Sequence, residues 1–361
     1  MIRTNIVLLC IIFLFASCAK KQKKIVSFDK NEKESIVLNF GKHKKKIEFT
    51  FQKINGEAER HLKQFHMSSL LRIGGIEDTI FKMPISIRTD DKNNIYVLDQ
   101  LDKSVIKFDK KGQFLKKYGK YGRGPGEFLF AQGFDVFDDG KIVVADPNNN
   151  KVAVFNNQKV IEYKCRYSPL KVSFVSSSEV VIHQILEPIF TSSIRKINYV
   201  NKTITDYQNI LNQNSFGDKV YGAMPFLIGD VLRYKNNYTV YTSRVLNYVV
   251  VFNSKGLIDK VFKMLDDDLD LSKVYIEKFS NKTSYLQTSV VGNELFVCKK
   301  VSKKGNTDIF VDIFSLNKGK YKYSIKLDDI KGLWAVQFSK NKMFAIKEDT
   351  EIEIFSYVID K

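Results

Sequence analysis

The feature that most constrains this chain is a repeat. The segment PISIRTDDKNNIYVLDQLDKSVIKFDKKGQFLKKYG, residues 84–119, and the segment GFDVFDDGKIVVADPNNNKVAVFNNQKVIEYK, residues 133–164, pass through the same order of features. Each has an opening apolar run, a turn rich in Asp, Asn or Gly, a β-branched run ending in Asp, a second turn, a third run, and a last run after a tight turn. Short apolar runs bounded by such residues predict strands. The two run-ending aspartates, Asp99 and Asp146, lie 47 residues apart, a spacing that suits the ~40–50-residue period of four-stranded propeller blades.

Weaker copies follow as SEVVIH, NYTVYT, NELFVC and NKMFAI, so that the second runs end at residues 99, 146, 183, 242, 298 and 346, on average about 49 apart. Six blades are expected. The last unit, with LWAVQF, NKMFAI and EIEIFSYVI, supplies three strands, whereas HMSSLLRIGG at residues 66–75 reads as a spare one. Closure removes exposed sheet edges, so the spare strand is expected to complete the sixth blade as its outer member. The expectation is therefore an all-β, six-bladed β-propeller of four-stranded antiparallel blades over residues 61–361. Residues 18–60, with IVLNF and the alternating IEFTF, are expected to form a tether and a flank packing on the ring.

Between the two strong repeats lies KYGRGPGEF, with Gly122, Gly124, Pro125 and Gly126 in close succession. Pro125 presets its own φ, Gly126 can take the positive φ that a type II turn requires at the next position, and Gly124 is pushed toward extended geometry by the proline. The run is expected to be an inter-blade turn returning the chain from the rim of one blade to the axis of the next. A phosphate-cradling loop would need a following Lys-Ser or Lys-Thr and a helix, and neither is there. Arg123 and Glu127 flank the glycines and are candidate partner-binding residues.

The first residues carry Arg3, an apolar run from Ile6 to Phe15, and the small residues Ala16 and Ser17 before Cys18. The run is too short for a membrane span and has the length of a signal-peptide core. FASC is similar to the lipobox of bacterial lipoproteins, with Phe15 where leucine is usual. That resemblance implies removal of residues 1–17 and lipid attachment at Cys18; ordinary signal-peptide cleavage would leave Cys18 a bystander. Lys20, Lys21, Lys23 and Lys24 follow, a basic rather than acidic run that suits a tether near anionic headgroups. The expected location is the outer membrane, facing the periplasm, with cell-surface display as the alternative.

Export changes how the charge is read. Lys and Arg number 58 against 40 Asp and Glu, a formal net charge of +18, which in a cytosolic protein would raise nucleic-acid binding. An exported chain has no nucleic-acid partner, and a basic surface there suits anionic glycans or lipid headgroups. Cys165 and Cys298 remain once the leader is set aside, and both are expected to pack as isolated thiols rather than to pair.

No catalytic set emerges. G-x-S-x-G and H-E-x-x-H are absent, and His43, His61, His66 and His183 are not at ligand spacing. Asp266, Asp268, Asp270 and Glu277 occupy calcium-loop positions, but Leu271 stands where the loop needs glycine, which favours an aspartate-capped helical turn. Asp99 and Asp146 are expected to bond turn amides. The irregular segments from Thr205 to Pro225 and from Lys263 to Tyr285 are the candidates for specificity loops.

NIYVLD, VIKFDKKGQFLKKYG and GRGPGEF together resemble the NHL repeat and the related six-bladed β-propeller lipoproteins of bacterial envelopes. The resemblance implies a ring of sheets around a central channel and little about chemistry. The expected function is an envelope-anchored binding scaffold for a protein or glycan partner, with no cofactor. The alternative is a metal-dependent lactonase- or esterase-like hydrolase, because gluconolactonase-like propeller enzymes assemble a divalent metal in the channel from Glu, Asn and Asp.

Overall fold

The computed structural model describes residues 31–40, 43–52, 60–75, 80–156, 159–186, 191–208, 229–235, 237–243, 248–265, 283–303, 306–327, 330, 332–348 and 350–360, with backbone alone for 31–40 and 43–52. Six antiparallel four-stranded units make up the ring. Blade 1 runs Pro84–Thr89, Ile95–Asp99, Ser104–Phe108 and Phe114–Tyr118; blade 2 runs Gly133–Val136, Ile142–Asp146, Lys151–Asn156 and Lys159–Lys164. Blade 3 is Ser168–Ser176, Glu179–Leu186, Thr191–Asn198 and Thr203–Asp206; blade 4 is Gly229–Tyr234, Tyr238–Ser243, Tyr248–Phe252 and Ile258–Lys263. Blade 5 is Thr283–Val291, Glu294–Lys303, Asn306–Ser315 and Lys320–Lys326; blade 6 is Leu333–Phe338, Lys342–Lys347, Ile352–Ile359 and, from the other end of the chain, Phe65–Ile73.

The first strand of each blade touches the first strands of both neighbours, and the sixth returns to the first, so these strands line the axis. All six runs singled out by the repeat are second strands. Ile95–Asp99 and Ile142–Asp146 are buried along their whole length, because a second strand is covered on both faces by the adjacent blades. That coverage is why they read as continuous apolar runs. The fourth strands of blades 1 and 2, Phe114–Tyr118 and Lys159–Lys164, are largely exposed and lysine-rich, a composition that protects a sheet edge.

The core is accordingly a ring of slabs between blades. Leu98 and Val105 of blade 1 pack on Phe134 and Val144 of blade 2, and Phe296 and Ile313 of blade 5 on Val336 and Met343 of blade 6. Each such side chain contributes on the order of 1.5–3 kcal/mol by leaving water. The closing strand pairs Ile73 with Ile352 and Phe65 with Ile359, and Ile73 enters the slab between blades 6 and 1. An arm before that strand is pinned to blade 5, where Arg60 Nε donates to the buried Asp312 Oδ1 at 2.9 Å and the guanidinium lies 4.5 Å from the Phe310 ring centroid.

The expected flank is a hairpin, Asn31–Phe40 with His43–Gln52, whose Gln52 pairs in parallel with Phe262 and extends the sheet of blade 4.

Two faces follow from the topology. Turns between first and second strands, and between third and fourth, emerge together on what we call the hairpin face. Turns between second and third strands, and the links from one blade to the next, emerge on the crossing face. On the hairpin face short side chains close the turns: Asp90 Oδ1 accepts the amides of Lys92 and Asn94, Asp109 Oδ1 those of Lys111 and Gln113, and Asn253 Oδ1 those of Lys255 and Leu257. Asx turns of this kind explain why Asp or Asn recurs at the ends of these strands in the sequence.

Candidate functional site

Three regions carry the polar chemistry: the blade crossings, the axial channel and the outer surface of the crossing face.

At the crossings, Asp99 accepts the amides of Lys82 at 2.6 Å and Met83 at 3.1 Å, and Asp146 accepts those of Leu129 at 2.8 Å and Phe130 at 3.1 Å. Each carboxylate thus clamps the link that enters its own blade, and also holds its following turn, Asp99 through Asp102 N and Asp146 through Asn148 N and Asn149 N. Both aspartates are fully buried and bonded to backbone.

The link between blades 1 and 2 contains the glycine run. Gly126 has φ +71° and Glu127 N donates to Gly124 O at 3.0 Å, closing a turn with Pro125 at its second position. Gly122 leaves room for the Glu127 carboxylate, which would lie 2.1 Å from a Cβ there. Glu127 and Arg123 are not paired. Glu127 accepts Gly124 N at 2.8 Å and pairs with Lys120 at 3.3 Å, and these contacts, Gly124 first, hold its carboxyl below the usual range. Blade 2 fixes the link from below: Asn149 Nδ2 donates to Gly122 O, Lys151 Nζ to Gly124 O, and Gly126 N to Glu162 Oε1. Arg123 is exposed on this rigid link, next but one to Tyr121, which is 71% exposed.

The channel is crossed by a belt of side chains that touches every blade. Arg88 Nε pairs with Asp135 Oδ1 at 3.3 Å, linking blades 1 and 2, and Asp135 Oδ2 accepts Ser173 Oγ and Phe174 N from blade 3 at 2.8 and 2.9 Å. Lys171 of blade 3 pairs with Asp230 of blade 4 at 3.5 Å, and Asp230 Oδ2 accepts Thr288 Oγ1 of blade 5 at 3.1 Å. Ser289 of blade 5 accepts Phe338 N of blade 6 at 3.0 Å, and Gln337 of blade 6 accepts Arg88 Nη1 at 2.9 Å, closing the circuit. Gln287 Nε2 reaches Ser86 Oγ at 3.1 Å, from blade 5 to blade 1 past blade 6. Side chains therefore meet across the axis at this level, and the carboxylates of Asp135 and Asp230 are each held by partners from two other blades. Among the described residues no group of three His, Cys, Asp or Glu converges as a metal site.

The residue that sequence reasoning passed over is Trp334, the sole tryptophan. It is the second residue of the first strand of blade 6, at a β-bulge between the pairs Leu333–Lys347 and Ala335–Ile346, and is 49% exposed. A bulge re-aims a side chain out of the regular pleat. On neighbouring parts of the same face Leu101 is 57% exposed, and Ile80 in the link from blade 6 to blade 1 is also exposed. The available signal was a lone Trp two residues after Gly332, a glycine that takes φ +68° in the structure.

His183 lies inside the interface of blades 3 and 4, its ring 5.5 Å from that of Tyr241, with no hydrogen bond to either nitrogen. Burial, with help from the Lys171 charge, lowers its pKa to about 4. Cys165 and Cys298 are unpaired and buried; burial pushes the Cys165 thiol up to about 12 and raises that of Cys298. Cys18, the acidic run 266–277 and most of the two expected specificity segments lie outside the described residues.

No curated protein matches the chain. Among solved structures, a member of the DUF4221 family from Bacteroides vulgatus has a TM-score of 0.60 at 12% identity, covering 83% of this chain and 99% of that one. A Bacteroides fragilis protein described as exported has 0.58 at 15%, covering 82% and 96%. Virginiamycin B lyase from Staphylococcus aureus has 0.51 at 11%, covering 81% and 99%. At such identities the likeness is one of fold. The profile of the 6-bladed beta-propeller family DUF5128 matches residues 61–288, more than half of the chain, and the chain belongs to that family.

Proposed function

We propose that this chain is an exported scaffold, lipid-anchored through Cys18 on the periplasmic side of the outer membrane, whose crossing face binds a polypeptide partner. The observation that carries the reading is Trp334, half exposed at a bulge on a strand the ring holds rigid. Trp, Tyr and Arg dominate the energetics of protein interfaces, and Trp334, Tyr121 and Arg123 stand on one face, on blade 6 and on the link from blade 1 to blade 2. Leu101 and Ile80 add exposed apolar surface that suits a polypeptide better than a glycan. The resemblance of FASC to a lipobox supports the anchor, and the exported Bacteroides fragilis fold neighbour agrees with an address outside the cytoplasm. The hydrolase reading gains no support from the channel, where Asp135 and Asp230 already hold the ring together.

Photo-crosslinking residues at position 121 or 334, in cells, are expected to trap the same protein, and one at the hairpin-face tip Lys340 is expected not to. Trp334→Ala should reduce that capture at least tenfold without moving the melting midpoint. Equal capture from position 340, or capture indifferent to Trp334→Ala, would overturn the reading.

A further inference from the structure

The hairpin face, opposite the proposed partner surface, contains a cleft of about 440 Å³ over blades 2 to 5. Turn lengths explain why it is there. Blade 2 joins its first two strands through the five residues Phe137–Lys141, whereas blade 3 does so through Ser177 and Ser178 alone. The short turn leaves a gap beside the longer blade 2 turn, with the three-residue turn of blade 4, residues 235–237, on the other side. Arg233 of blade 4 reaches over that gap to Asp138 of blade 2, donating from Nη1 to Oδ2 at 2.9 Å and from Nη2 to Oδ1, a bidentate fork.

Burial sorts the lining. Val175 is buried, Phe137, Val290 and Arg233 are half-buried, and Lys235 and Asn237 are exposed. The cleft is therefore apolar at its base and polar at its rim, and its volume falls within the roughly 300–1,000 Å³ of small-molecule sites. The Arg233 guanidinium lies 4.8 Å from the Phe137 ring centroid, a stack that keeps the fork oriented whether or not Asp138 occupies it. Asp138 itself is exposed, on a turn tip. The exposed turn residues Lys202, Lys255 and Lys318 of blades 3 to 5 add positive charge to the same face, with Asp91 and Asp139 as further exposed acids on the blade 1 and 2 side, so the field that draws anions comes from blades 3 to 5.

We propose that this cleft is a binding site for a carboxylate-bearing sugar, whose carboxylate replaces that of Asp138 on the Arg233 fork. Asp138 marks the position and orientation that a planar carboxylate takes against the guanidinium. Phe137, Val175 and Val290 then cover the apolar face of the sugar ring, and the Asn237 amide and Lys235 ammonium meet its hydroxyls and remaining charge. Because Asp138 competes for the fork, it weakens binding rather than supporting it. The site does not depend on the crossing-face reading, since its residues and its ligand are different.

Isothermal titration of the full chain with digalacturonate, with a neutral digalactose and with glycerol 3-phosphate tests the assignment. Digalacturonate is expected to bind, with affinity falling as salt rises, and the other two at least tenfold more weakly. Arg233→Gln should lose tenfold or more. Lys235→Ala, at an exposed tip where folding is not at risk, should lose severalfold, and Asp138→Asn should tighten binding severalfold. Equal affinity for the neutral sugar, tighter binding of glycerol 3-phosphate (the mark of a lipid-headgroup site), weaker binding by Asp138→Asn, or no binding at all would each overturn the proposal.

Discussion

On the hairpin face Asp109 closes its own turn, accepting amides two and four residues on, while on the crossing face Asp146 reaches back to Leu129 and Phe130 and forward to Asn148 and Asn149. One carboxylate is partly exposed and holds four or five residues; the other is fully buried and ties a whole blade to its predecessor. Each hairpin-face turn thus closes locally and can vary in length, while bonds such as Arg233 to Asp138 and Lys235 to Asn317 join the tips of different blades. The crossing face depends on long-range clamps, so a residue displayed there, such as Tyr121 or Trp334, stands on a rigid base.

The largest effect should come from breaking closure itself. Deleting residues 65–73 exposes the edge of Ile352–Ile359, and we expect loss of the cooperative calorimetric transition together with self-association in sedimentation. An unchanged midpoint in a monomeric deletion variant would show that the ring does not depend on this strand.

The contrast between faces predicts unequal costs for the same substitution. Asp146→Ala removes four bonds to half-buried backbone amides from a fully buried position and should cost about 3 kcal/mol or more, whereas Asp109→Ala, at an exposed turn, should cost about 0.5–1.5 kcal/mol. Urea denaturation of the pair measures the difference, and equal costs would erase the distinction drawn here.

Acid should act on the blade interface that joins the two faces. His183 packs against Tyr241, with Lys171 and Asp230 as the nearby charges. Its pKa is about 4 in the folded chain against 6.5 for a free histidine, so its neutral form is the one the fold accepts. The stability it contributes is complete above pH 6.5 and is lost as pH falls from there toward 4, a total of about 3 kcal/mol. Melting midpoints across that window should slope less in His183→Leu than in the parent, and parallel slopes would remove His183 from the acid response.

The crossing run is tested by one moderate effect and by the smallest of all. Gly126→Val forces a β-branched residue to φ +71° within 3.2 Å of the Phe155 ring, at a cost of about 1–3 kcal/mol. Arg123→Ala, at an exposed position, should shift stability by less than about 0.5 kcal/mol. A tolerated valine would disprove the turn geometry, and a costly alanine would mean that Arg123 belongs to the clamp rather than to the display surface.

The blade count and the second strands were legible in the chain, because each rests on forces acting within a few residues. Apolar runs of strand length, Asx-turn residues and the φ preferences of Gly and Pro leave their mark in the local sequence. The last blade could be completed as well, because it lacks one strand by the repeat and Phe65–Ile73 is the strand that directly precedes the first blade.

The channel belt, the exposure of Trp334 and the cleft could not be read that way. Arg88 meets Gln337 across 249 residues, Gln287 meets Ser86 across 201, and Arg233 meets Asp138 across 95. Nothing in the chain around Arg233 indicates that blade 3 will turn in two residues and leave a gap for its side chain to bridge. Local forces determine what each blade is, but which side chains meet depends on how six of them curve around one axis, and only the tertiary structure decides that.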